Sequence, residues 1–213
     1  MFKKIIYSFA VLLCSIQFGW AQSNPQAEQI LTDLLTSART SAIRTNFKLI
    51  ASDKSNPQGM VSSGTFTLKG TKFVLEMSEM KAWFDGKTQW AYVSQNNEVS
   101  VTEPSEKELA ETNPMAILSG FKSKCVIKFS GKTKSAQNYC IEMTPKVKNK
   151  DILNIEVQVN KVNGNLFSIK LTNRNGTTSH LILSNFQKGI SVSDNIFVFN
   201  PARYKGIVVN DLR

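Results

Sequence analysis

Lys72 to Glu103 reads KFVLEMSEMKAWFDGKTQWAYVSQNNEVSVTE. Its large apolar side chains fall in short runs bounded by turn residues. At its centre Asp85-Gly86 tolerates the positive φ of a tight turn, and it is flanked by Ala82-Trp83-Phe84 and Gln89-Trp90-Ala91-Tyr92, a pattern that predicts a β-hairpin. Side chains alternate between faces along a strand. With a loop of even length the cross-strand partners have numbers summing to an odd value, so Trp83, Trp90 and Tyr92 share one face. A three-residue loop would break that parity. Three rings on one face read either as the wall of an apolar, lipid-sized groove or as the core of a β-sandwich.

Upstream, the period is two. Ile43 to Leu49 alternates, with Phe47 and Leu49 on one side and Arg44, Asn46 and Lys48 on the other. Asp53 to Gly59 is a loop rich in Ser, Asn, Pro and Gly. Met60 to Lys69 forms a second strand with Phe66 and Leu68 inward and Thr65 and Thr67 outward, and Lys72 to Met77 a third with Phe73, Leu75 and Met77 on one face. Before these strands, Asn24 to Thr40 is the clearest helix. Asn24 can cap it, Pro25 suits its first turn, and Ile30, Leu31, Leu34, Leu35 and Ala38 recur at helical spacing. That apolar face either covers a groove or plugs an ordinary core.

Downstream, Pro104 ends the sixth strand, and Ser105 to Phe121 reads as two helical pieces broken at Asn113-Pro114. Ser105 can cap the first piece, with Glu106 and Glu108 in its opening turn. Pro114 starts the second, where Met115, Ile117, Leu118 and Phe121 form a short apolar unit that serves as buried packing or as a lid, methionine being suited to adaptable contact. The last third is a series of hairpins. Cys125 to Ser130 and Gln137 to Thr144 flank a polar loop, Ile152 to Val159 and Leu166 to Thr172 join through Asn163-Gly164, and Asn175-Gly176 opens Ser179 to Phe186. Ten to twelve strands with no helix between neighbours predict a curved antiparallel sheet, mainly β with a few helices. Asn175-Gly176-Thr177 also fits a glycosylation acceptor, and its turn chemistry is the reading adopted.

Met1 to Ala21 carries Lys3 and Lys4, an apolar run from Ile5 to Ile16, and Gly19-Trp20-Ala21, the pattern of a signal peptide cleaved before Gln22. Cys14 follows Leu13 where a lipoprotein cleavage site has a small residue, so lipidation is the lesser reading. Residues 22–213 have the length of one all-β domain. The chain is basic, +10 overall, which favours anionic surfaces, but there is no stripe of arginines interleaved with aromatics, so no nucleic-acid partner is expected. A lone His180 in a strand, with no H-E-x-x-H, C-x-x-C, G-x-S-x-G or phosphate-cradling loop, predicts neither metal nor cofactor nor catalysis. In an oxidising compartment Cys125 and Cys140, placed opposite each other if the polar loop is centred near Lys132-Thr133, are expected to form a disulfide.

FDGKTQWAYV followed by NNEVSVTE and TNPMAIL, with the closing DNIFVFNPARYKGIVVNDLR, resembles the bacterial periplasmic lipoprotein carrier family, LolA. The resemblance is spread over most of the chain after Ala21. It implies an open, incomplete β-barrel covered by a helical lid, holding acylated lipoproteins and shuttling them from an inner-membrane lipoprotein-releasing transporter to an outer-membrane acceptor, as a monomer in the periplasm. The expected groove is lined by Phe47, Leu49, Phe66, Leu68, Phe73, Leu75, Met77, Trp83, Trp90 and Tyr92, and the expected lid carries Ile30, Leu34, Met115, Ile117 and Leu118. In one respect the chain departs from the pattern. Where proteobacterial members have an arginine that bonds to the lid, Lys69-Gly70-Thr71-Lys72 offers Gly70, which has no side chain to donate. The alternatives are a lipoprotein-sensing or other amphiphile-binding module of the same fold, and a core-packed β-domain with no cavity.

Overall fold

The computed structural model describes residues 22–105, 108–109, 113–148 and 151–213. The signal-peptide reading of residues 1–21 lies outside them, as do Glu106 and most of the first helical piece after Pro104; of that piece, Glu108 and Leu109 are helical, and Ser105 and Glu108 exchange the bonds of a capping box.

Helix α1 (Pro25–Thr40) begins where the sequence places it. The Asn24 side chain accepts from the Ala27 N–H, Pro25 occupies the first turn, and Ala27, Leu31, Leu34 and Ala38 are buried along one stripe. Six strands follow: β1 (Ile43–Ser52), β2 (Met60–Lys69), β3 (Lys72–Met77), β4 (Met80–Phe84), β5 (Gln89–Val93) and β6 (Glu98–Thr102). Helix α2 (Pro114–Lys122), capped by Asn113 accepting from the Met115 N–H, leads to β7 (Cys125–Phe129), β8 (Asn138–Pro145), β9 (Ile152–Asn160), β10 (Leu166–Asn173) and β11 (Thr178–Lys188). Two short 3-10 turns, Asp194–Phe197 and Pro201–Arg203, precede β12 (Val208–Asp211).

The strands form one sheet in the order β12-β6-β5-β4-β3-β2-β1-β11-β10-β9-β8-β7. Its edges, β12 and β7, do not pair, so the sheet is not closed. Neighbours are antiparallel except β12, which runs parallel to β6. Two local features mark the middle of the sheet. Between β1 and β11 one residue, Thr45, faces two on β11, where Asn185 takes a φ of 50°. At Gly64 the backbone of β3 comes so close that an added Cβ would stand 1.9 Å from the Glu76 carbonyl oxygen. The free edge of β7 is covered by the chain entering α1: Ile127 donates to Ser23 Oγ, and its carbonyl accepts from the Asn24 N–H.

The sheet has two unlike faces. On the inner face Ile43, Phe47, Phe66, Leu68, Phe73, Leu75, Ala82 and Phe84 from β1–β4 join Cys125, Ile127, Ile141, Met143, Ile155, Val157 and Ile169 from β7–β10 in one core around α1 and Leu118 of α2. On the outer face, Val74, Trp83 and Val99 are sealed by Phe197 and Phe199 of the C-terminal segment. The outer face of β7–β11 is polar instead, with Lys128, Glu142, Glu156, Lys170 and His180 in cross-strand register.

The expected disulfide is not formed. Cys125 pairs with Pro145, which centres the hairpin on Ser135 instead of Lys132-Thr133, because Ser130 Oγ and Ser135 Oγ each hold a turn of their own. The shift moves Cys140 beside Ser130 and onto the opposite face from Cys125. Both thiols are free and buried, and burial raises the pKa of each above the ordinary cysteine value.

Candidate functional site

The hairpin parity holds. A four-residue loop, Asp85–Thr88, joins β4 to β5; Asp85 Oδ1 accepts from the N–H groups of Lys87 and Thr88, and Gly86 takes a φ of 106°. Trp83 therefore faces Trp90 directly, with Lys81 opposite Tyr92. This face is not the one that carries Phe73 and Leu75, whose cross-strand partners are Phe84 and Ala82. The expected groove set thus divides. Phe47, Leu49, Phe66, Leu68, Phe73, Leu75 and Met77 belong to the inner core, whereas Trp83, Trp90 and Tyr92 belong to the outer cluster. The correction follows from one-residue alternation: Trp83 stands next to Ala82 and Phe84, both of which point inward.

On the inner face a cavity of about 720 Å³ lies between the C-terminal half of α1, helix α2 and the turns at one end of the sheet. Its walls are Leu35 and Ala38 of α1, Met115, Ala116 and Phe121 of α2, and Leu68, Phe84 and Leu109, with Arg39, Asn113, Ser119 and Lys124 supplying polar groups. That volume lies in the range of sites for small ligands. Of the expected groove residues only Leu68 lines it, and of the expected lid residues only Met115. Leu34 and Leu118 are buried in the core, and Ile30 and Ile117 are partly buried against it. The helical face repeats every three or four residues, so the periodicity that marked Leu34 also marked Leu35 and Ala38; which of the adjacent pair meets the cavity depends on where α2 crosses, and no local pattern encodes that.

Two side-chain bonds join the helices. Arg39 Nη2 donates to Ser119 Oγ at 3.2 Å and Lys122 Nζ donates to Thr32 Oγ1 at 2.5 Å. Gly70 sits at the cavity rim in the β2–β3 turn with a φ of 62°, and a Cβ there would meet open space.

The outer cluster is built of rings. Trp83 meets Phe199 edge-on at 5.3 Å and Tyr204 at 6.0 Å, and Tyr204 packs on Tyr92 at 4.6 Å. Burial, with Tyr92 and Glu76 nearby, raises the Tyr204 hydroxyl above its ordinary pKa. The segment that supplies Phe199 and Tyr204 is tied down by Asp194, whose carboxylate accepts from Lys69 and Lys72 at 2.7 Å each and is held at a pKa of about 2. Sequence reasoning missed this cover; Phe197 and Phe199 alternate as in a strand and were the available signal. Beneath the segment is a second cavity of about 410 Å³.

Among the described residues no group of three or more His, Cys, Asp or Glu side chains could hold a metal, and no helix is long and apolar enough to cross a membrane.

Residues 20–177 match the model of a family described as outer membrane lipoprotein carrier protein LolA. No curated protein matches the chain. Among solved structures, an uncharacterized conserved protein from Thermus thermophilus is similar with a TM-score of 0.58 and 10% identity, covering 87% of this chain and 99% of that one. A DUF1329 family protein from Desulfovibrio piger gives a TM-score of 0.48 at 11% identity over 86% of this chain and 100% of that one. A LolA superfamily protein from Nitrosomonas europaea gives 0.42 at 11% identity over 81% and 97%. The Thermus likeness is one of fold alone.

Proposed function

Because this chain belongs to the LolA family of outer membrane lipoprotein carrier proteins, we propose that it carries the acyl chains of lipoproteins across the periplasm in the inner cavity between α1, α2 and the sheet. The observation that carries this reading is the cavity itself, about 720 Å³ with walls of Leu35, Ala38, Leu68, Phe84, Met115 and Phe121. Burial is the whole chemistry of such a carrier. At about 0.8 kcal/mol per CH₂, leaving a 16-carbon chain in water costs on the order of 12 kcal/mol, so an apolar enclosure is what transit across an aqueous gap requires. No catalytic step is part of the reading.

A carrier must also release its cargo. The movable cover is assigned to α2, because Met115 and Phe121 are only partly buried while Leu118 anchors the helix to the core. Leu34 and Leu118 act as pivots in this account, and Ile30 and Ile117 pack beside them. Gly70 supplies no arginine-like latch. The bonds of Arg39 to Ser119 and Lys122 to Thr32 hold the cover instead, each worth about 1 kcal/mol and so easily broken. Loading by an inner-membrane transporter and delivery to an outer-membrane acceptor complete the proposal, with residues 1–21 as the export signal and 22–213 as the carrier domain. Native mass spectrometry of the protein purified from its own periplasm tests it. Bound lipoprotein or lipid is expected; protein that is free of lipid throughout would contradict it.

A further inference from the structure

The outer cavity is separated from the inner one by the sheet and differs from it in chemistry. Its floor is the outer face of β1–β4, contributed by Arg44, Thr67, Val74, Glu76, Lys81 and Trp83, and its roof is the C-terminal segment, with Ile196, Val198, Arg203 and Tyr204. Thr67 and Trp83 are buried, so this is a built recess and not an open patch of surface.

Charge in the cavity is unbalanced. Its one carboxylate, Glu76, is already engaged by Lys81, whose ammonium also lies 5.2 Å from the centre of the Trp83 ring. Arg44 donates through Nε to Thr67 Oγ1 and lines the cavity, and neither it nor Arg203 makes an ion pair among the described residues. The neighbouring Asp194 is taken up by Lys69 and Lys72. Two arginines without carboxylate partners among the described residues therefore line one pocket whose other walls include Val74, Trp83, Ile196 and Tyr204. Guanidinium is the group best suited to bind carboxylate, sulfonate or phosphate, and the rings suit an apolar or aromatic body.

We propose that this outer cavity binds a small soluble organic anion with an apolar body, its anionic head taken by Arg44 and Arg203 and its body laid against Val74, Trp83 and Tyr204. At about 410 Å³ the cavity suits a single small molecule and not a diacylated lipid. The site stands apart from the inner cavity, so it does not depend on the carrier reading.

The probe is 8-anilino-1-naphthalenesulfonate, an anion with an aromatic body, titrated by its own fluorescence. The titration is made on Ala116→Trp, which fills the inner cavity, with and without Arg44→Gln and Arg203→Gln together, both positions being exposed. In that background the paired glutamines are expected to weaken binding about tenfold or more, with Arg203→Lys retaining part of the affinity. Binding that survives the paired glutamines there, or no binding once the inner cavity is filled, would overturn the proposal. Sedimentation with vesicles of phosphatidylglycerol and phosphatidylcholine separates a soluble ligand from a membrane lipid. No arginine-dependent sedimentation is expected, and its appearance would reassign the pocket to lipid headgroups and overturn the proposal as stated.

Discussion

In β3 and β4 both faces of the sheet are apolar, and they are covered in different ways. The inner face is closed by whole helices that leave a large cavity at one end, with nearly all its side chains drawn from regular elements. The outer face is closed by a segment of short 3-10 turns that interlocks Phe197, Phe199 and Tyr204 with Trp83, Trp90 and Tyr92 and leaves a smaller, basic recess. Helices packed on a sheet can shift as units; a segment pinned by rings and by Asp194 is fixed at many points. Both faces carry packed rings, Phe66, Phe73 and Phe84 inside and Trp83, Phe199 and Tyr204 outside, so the difference teaches that the cover sets the room for a ligand: helices leave the larger cavity and the tied C-terminal segment the smaller one.

The sharpest break in that comparison is predicted at Phe197, which is fully buried on the outer face. Phe197→Ala is expected to destabilise the protein by about 3–5 kcal/mol in chemical denaturation, as a core substitution does. A near-neutral result would mean that the C-terminal segment is a loose strap. On the inner face, Leu118→Ala is expected to cost about 2–5 kcal/mol, whereas the cavity-lining Met115→Ser should cost about 1 kcal/mol and act mainly on retention of a diacylated lipopeptide. If both changes lower stability alike and spare retention, α2 is plain core.

A smaller effect is expected at Asp194. Its carboxyl is held at a pKa of about 2 by bonds from Lys69 and Lys72, below the unfolded value of about 3.9, so its contribution is complete above about pH 4 and is lost as pH falls through about 2. The group is exposed, so Asp194→Asn should lower the melting temperature only slightly at neutral pH and flatten its dependence on pH between about 4 and 2. An unchanged acid limb would show that the ion pair does not anchor the segment. The least change is predicted for the cysteines. An intact mass of the mature protein should correspond to two free thiols, unreactive until unfolding because Cys125 and Cys140 are buried on opposite faces of the sheet.

Much of this architecture is legible in the sequence, and the reasons are local. Asn24-Pro25 encodes a helix start, Asp85-Gly86, Asn163-Gly164 and Asn175-Gly176 encode turns with positive φ at the glycine, and alternation from Ile43 to Tyr92 encodes the strands. The parity that put Trp83, Trp90 and Tyr92 together is purely local as well. What alternation leaves open is which of two apolar faces meets the helices. Ala82 and Phe84 on one side and Trp83 on the other are comparably apolar, and only the tertiary course of α1 and of the C-terminal segment decides between them. The Cys125 to Cys140 pairing failed for a similar reason. Its register depended on where a six-residue polar loop folds, and the serine-held turns at Ser130 and Ser135 displaced the centre. The cavity walls at Leu35, Ala38, Ala116 and Phe121 depend on the crossing of two helices far apart in sequence.

The central claim is that acyl chains occupy the inner cavity and not the outer recess. Photo-crosslinking tests it directly, using a lipopeptide that carries a diazirine near the end of one acyl chain and mapping the crosslinked peptides by mass spectrometry. Crosslinks are predicted in residues 31–40 and 114–124, centred on Leu35, Ala38, Met115, Ala116 and Phe121. Crosslinks confined to Trp83, Tyr92 and residues 190–207, or absent while the lipopeptide is bound, would contradict the account.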